Sequence, residues 1–121
     1  MNERTESFAV EDGLLVRRVT PKRGAPYEHR CPLDAYGAVA HAVDDAGGAP
    51  ITGDEIQRAT DLPFSQVATA LAFLKERGCV VPAHGRRHKA APGNAGVHLD
   101  AMTEVHALRE KGPADPAFGY E

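Results

Sequence analysis

"ITGDEIQRATDLPFSQVATALAFLKERGCVV", residues 51–81, decides how this chain folds. Thr52 stands three residues before Glu55, the spacing of a capping box, so a short helix opens here with Ile56 and Ala59 facing inward. Leu62-Pro63 makes a turn. Pro63 can open the next helix, because a helix start has no use for the N–H that proline lacks. Val67, Ala70, Leu71 and Leu74 then repeat at i, i+3, i+4 and i+7, which defines one buried stripe. Gly78 ends the helix in the left-handed cap position. Between Leu62 and Leu74 there is no charge at all. Such a helix is either buried on every side, or has an outer face kept small and neutral to meet a partner.

The flanks supply the rest of the architecture. Upstream, "PLDAYGAVAHAVDDAGG" (residues 32–48) reads as a helix opened by Pro32 and ended by Gly47-Gly48. Its inward side carries Leu33, Tyr36, Val39, Ala40 and Val43 at helical spacing. Downstream, "CVVPA" (79–83) and "RHKAA" (87–91) read as two strands around the tight turn "HGR", with Pro82 at an edge or non-bonding position. Residues 8–31 read as an N-terminal β-hairpin: "GLLVRRVT", the turn "PKRGAP", then "YEHRC". Phe8–Val10 is a candidate third strand. After the loop "PGNAG", residues 98–111 read as a helix with Ala101, Met102, Val105 and Leu108 on one face, stopped by Gly112-Pro113. Residues 112–121 read as a tail. At 121 residues the chain builds one domain with one modest core.

Helix, short helix, tight turn, helix, β-hairpin is the order of a winged helix-turn-helix, here with an N-terminal β-hairpin extension and a C-terminal helix, an α+β fold. Residues 51–81 also resemble the helix-turn-helix of winged-helix transcription regulators of the multiple-antibiotic-resistance (MarR) type. The family pattern is Thr, an acidic helix start, a turn, a helix with inward Val and Leu, and "LxxRGxV" leading into the wing. Here that last piece is Leu74, Arg77, Gly78 and Val80. The resemblance covers about residues 33–91. It implies that residues 63–77 form a recognition helix for the major groove and residues 79–91 a wing. It also implies a double-stranded DNA partner, and dimerisation through a terminal helix, here 98–111.

The residues themselves offer candidates for such contacts. At 100° per residue, Ser65, Ala68, Thr69, Ala72 and Glu76 lie opposite the buried stripe, with Gln66 and Phe73 at the flanks. Ser65, Gln66 and Thr69 can hydrogen-bond to base edges, and alanine can meet a thymine methyl. No Lys or Arg falls on this face. His84, Arg86, Arg87, His88 and Lys89 cluster within six residues on the hairpin, where cations can neutralise phosphate. Thr52, at a helix start, is a candidate phosphate contact as well as a cap. A contrasting reading takes Ala68, Ala72 and Phe73 as a small, partly aromatic patch for a protein partner.

Charge patterning frames these candidates. Residues 14–32 hold Arg17, Arg18, Lys22, Arg23 and Arg30 against Glu28 alone. Residues 33–62 hold six acids against Arg58, and residues 79–96 hold Arg86, Arg87 and Lys89 with no acid. Two basic islands therefore flank an acidic one, a statement about partners rather than fold. No apolar run approaches the ~20 residues of a membrane span, and no signal peptide opens the chain, so a cytoplasmic protein is expected. Cys31 and Cys79 read as two reduced, buried thiols. The six histidines and two cysteines form no four-ligand set with structural-zinc spacing, so neither a metal nor a cofactor is expected. No GxSxG, phosphate-binding glycine loop or HExxH occurs, and enzymatic activity is not expected.

Overall fold

The computed structural model describes residues 4–93 and 96–111. The expected tail, 112–121, lies outside the described residues.

Asp12 and Gly13 both adopt positive φ, 53° and 74°, the conformation of a two-residue hairpin turn. That turn joins β1 (Thr5–Glu11) to β2 (Leu14–Thr20), and β3 (Tyr27–Pro32) follows on the far side of β2. The result is an antiparallel sheet of order β1-β2-β3, with Phe8 opposite Arg17 and Leu15 opposite Cys31. The expected hairpin is therefore a three-stranded meander, and its first strand is seven residues long rather than three. Phe8, Val10, Leu15 and Cys31 are buried in the common core.

α1 (Leu33–Asp45) starts directly after β3, with Pro32 in the cap position rather than inside the helix. A two-residue strand, β4 (Ile51–Thr52), leads into α2 (Gly53–Thr60). The capping box closes as its spacing required. Glu55 N–H donates to Thr52 Oγ1 at 3.0 Å, and Thr52 N–H donates to Glu55 Oε1 at 2.8 Å. Asp61 ends α2 in the left-handed conformation, its N–H bonded to the Gln57 carbonyl, and turns the chain toward α3 (Phe64–Glu76). Pro63 again caps from outside, its carbonyl accepting from Gln66 and Val67. β5 (Val80–Ala83) and β6 (Arg87–Ala90) form a hairpin, and β4 adds to β6 to give a second antiparallel sheet of order β4-β6-β5. α4 (Val97–Lys111) completes the described chain, which is an α+β fold of four helices and two three-stranded sheets.

The core is shared by all these layers. α1 and α3 pack together, α4 lies against α1 and β1, and the first sheet covers a second side of α3. The Tyr36 hydroxyl donates to the Ala101 carbonyl at 2.7 Å, tying α1 to α4. The Asp44 carboxylate accepts from the amides of Val97 and His98, at 2.7 and 2.8 Å, and so caps α4 from another helix. Those amides are orphan donors at a positive helix end. Asp44→Ala is expected to cost about 1–2 kcal/mol, read from the urea midpoint. Asp44→Asn should recover part of that loss, because its side-chain oxygen can still accept.

Both cysteines are buried, and neither is joined in a disulfide. Burial, reinforced by the nearby Asp34 carboxylate, pushes the Cys31 thiol up to about 12. Burial likewise pushes Cys79 up to about 11, helped by Glu104. Neither is a thiolate at neutral pH. No helix among the described residues is long and apolar enough to cross a membrane.

Candidate nucleic-acid interface

α3 buries two sides, not one. Val67, Ala70, Leu71 and Leu74 face the core as the periodicity required. Thr69 and Phe73 are also fully buried, both at 0% exposure, under the first sheet and α1. Phe73 meets Phe8 and Tyr36 edge-on, with ring centroids 5.2 and 5.8 Å apart. Thr69 satisfies its hydroxyl by donating to the Ser65 carbonyl at 2.7 Å. Two expectations are corrected here. Thr69 is not available to read bases, and Phe73 is not part of an exposed partner patch. The physical reason is the sheet, which lies over the flank that the helical period of α3 alone would leave to solvent.

Of the open side of α3, the row Phe64, Ala68, Ala72 and Lys75 lines a cleft of about 410 Å³. Thr52, Gly53 and Asp54 at the start of α2 form one wall. Gly85, Arg86 and His88 of the β5–β6 hairpin form the other, and Arg17 of β2 reaches the same cleft. Lys75 corrects the expectation that no Lys or Arg falls on the face opposite the buried stripe: it is exposed and lines the cleft beside Ala68 and Ala72. Phe64 is 53% exposed at the first position of α3. Neither residue was among the candidates from sequence. The spacing i, i+4, i+8, i+11 from Phe64 to Lys75 marks that row once two buried sides are known.

Among the other candidates, Ala68, Ala72, Thr52, Arg86 and His88 come together at the cleft. Ser65 is exposed and Gln66 half-buried on the first turn of α3, outside the cleft lining. His84 and Arg87 are exposed on the hairpin, and Lys89 is half-buried on β6 opposite Val81. Thr52 has its amide and hydroxyl engaged by Glu55, whose carboxyl those bonds hold below its ordinary value. Its role is therefore a cap, and a phosphate there would have to displace a carboxylate.

The hairpin turn is built around its cations. Gly85 and Arg86 both have positive φ, 75° and 62°. Arg86 thus holds a left-handed conformation that costs a side-chain-bearing residue about 1 kcal/mol and that glycine adopts freely. Arg87 Nη1 donates to the His84 carbonyl at 3.3 Å and clasps the turn. No ion pair restrains Lys75, Arg86 or Lys89 among the described residues. His88 differs from its neighbours. Burial, with Lys75 close by, lowers its pKa, so it stands neutral at pH 7, and its Nδ1 has no hydrogen-bond partner among the described residues.

The first basic island is largely neutralised. Arg17 pairs with Glu6. The Arg18 guanidinium bonds Glu11 at 2.8 and 3.0 Å and Glu28 at 3.0 Å, and Arg30 also pairs with Glu28. The bond from Arg18 holds the Glu11 carboxyl below its ordinary value. Glu6 and Glu11 belong to β1, outside the stretch whose charge looked so positive. Lys22 and Arg23 remain exposed at the β2–β3 turn. No group of three or more His, Cys, Asp or Glu among the described residues could hold a metal ion. No family model matches the chain, and no curated protein or solved structure is significantly similar to it.

Proposed function

We propose that the chain is a DNA-binding protein of the winged helix-turn-helix type that regulates transcription, with α3 as recognition helix and the β5–β6 hairpin as wing. The observation that carries the reading is convergence: Lys75 from α3, Arg86 from the hairpin and Arg17 from β2 border one cleft against a single acid, Asp54. Cations on a hairpin turn, without an ion pair for Arg86 among the described residues, beside a helix face that adds Lys75, suit a phosphate backbone flanking a groove. The chain order α1-β4-α2-α3-β5-β6, with strands ordered β4-β6-β5, is compatible with a winged-helix assignment. Pairing of two copies through the outer side of α4, where Leu99 is exposed, fits a regulator of two-fold symmetric sites. The rival reading, a protein-interaction module, loses its aromatic anchor because Phe73 is buried.

The direct test is fluorescence anisotropy with a mixed-sequence duplex across a salt series. Binding at low salt that weakens steeply, with a slope of several in log K against log salt, is expected. No binding at low salt would sink the proposal. A companion variant separates binding from folding. Arg86→Gly relieves the left-handed strain while removing a cation, so its thermal stability should hold or rise by up to about 1 kcal/mol while duplex affinity falls.

A further inference from the structure

Resting on the duplex-binding reading above, we propose that the cleft recognises the 5-methyl group of pyrimidines in the major groove, with Phe64 setting the preference. Phe64 is one of three exposed large hydrophobic residues among those described, and of the three it alone lines the cleft. Its backbone is set by the helix start. Pro63 precedes it, α3 begins with it, and Gly53 lies beside its ring, where an added Cβ would stand 3.6 Å from Cε1.

Phe64, Ala68 and Ala72 recur every four residues, so this strip of α3 offers no side-chain donor or acceptor, and the polar side chains of the cleft stand on its walls and at Lys75. Such a strip cannot read the hydrogen-bonding pattern of a base pair. The major groove has one apolar protrusion to offer it, the methyl on C5 of thymine, which 5-methylcytosine shares. The rim argues for a nucleic acid over an apolar peptide, because Lys75 and Arg86 stand at its edges with no ion pair among the described residues and complement phosphate. Recognition here is thus divided: cations hold the backbone, and the aromatic ring with the two alanines takes the methyl.

The test uses four duplexes of about 20 base pairs with alternating sequence, read by anisotropy at one salt concentration: A·T, the same with deoxyuridine for thymidine, G·C, and the same with 5-methylcytosine. Thymidine should outbind deoxyuridine by about fourfold for each methyl seated. An effect confined to the A·T pair of duplexes identifies thymine as the source, and an effect in both pairs identifies any 5-methylpyrimidine. Phe64→Ser, at an exposed position, should abolish the methyl preference while leaving the salt slope unchanged. Equal affinity for methylated and unmethylated duplexes overturns the inference and leaves the duplex reading standing. So does a methyl preference that survives in Phe64→Ser, or a preference for A·T over G·C without any methyl effect. Binding to none of the four overturns both.

Discussion

Phe73→Ala is expected to destabilise the protein by about 3–5 kcal/mol, measured by urea unfolding. The ring is fully buried and sits where three elements meet: Phe8 from the first sheet at 5.2 Å, Tyr36 from α1 at 5.8 Å, and its own helix α3. The Arg77 guanidinium lies over it at 5.0 Å, and Arg77 in turn bonds Glu104 of α4 at 3.2 Å. Truncation therefore removes apolar burial and two edge-on aromatic contacts, and leaves a cavity that the surrounding sheet and helices cannot fully close. A domain of this size is commonly stable by only 5–15 kcal/mol, so the change takes a large share of the total. Phe73→Leu, which keeps most of the volume, should cost much less. An exposed partner residue would behave differently, since surface substitutions usually fall within about 0.5 kcal/mol. A loss that small would mean that the sheet does not cover this side of α3.

Phe73 also marks the limit of what could be read from the chain alone. Helical period and capping placed α2, α3 and the hairpin well, because Thr52, Glu55 and Gly78 act on their own neighbours in sequence. The second buried side of α3 is made by Phe8 and Cys31, from strands more than 30 residues upstream, and a local pattern carries no trace of it. With only one buried stripe in view, the opposite face was centred too near Thr69. Thr69 looks polar enough for solvent, yet its hydroxyl bonds within its own helix, so burial leaves nothing unsatisfied.

The same shift hid Lys75 and Phe64, the two residues that change the character of the cleft. The charge of the first hairpin misled for a related reason. Arg17 and Arg18 find their acids, Glu6 and Glu11, across a strand pairing rather than along the chain. The Asp12-Gly13 dipeptide was a legible hairpin signal, and it would have extended β1 to its full length. The hairpin cations were legible throughout, since a turn flanked by strands has nowhere to put five polar side chains except outside or along its edges.

The double change Arg86→Ala with Arg87→Ala is expected to lower duplex affinity roughly ten- to a hundredfold at low salt, and to reduce the log–log salt slope by about 2. The slope is the sharper readout. A fold weakened by mutation loses binding at every salt concentration in proportion to the fraction unfolded, and its slope stays the same. Removing two phosphate contacts releases fewer counterions and flattens the slope itself. Arg87 also clasps the turn through the His84 carbonyl, so some loosening of the hairpin belongs to the double variant. Arg86→Gly supplies the control, because it removes one cation from a turn made easier to form and should flatten the slope by about 1 with no loss of stability. If both variants bind a duplex as the parent does, with the same slope, the hairpin is not the phosphate contact. The cations of the cleft would then reduce to Lys75 and an Arg17 already committed to Glu6, too few to hold a backbone against salt. On the proposed reading, phosphate affinity would therefore depend on a turn whose left-handed arginine is kept at a conformational cost that glycine would remove.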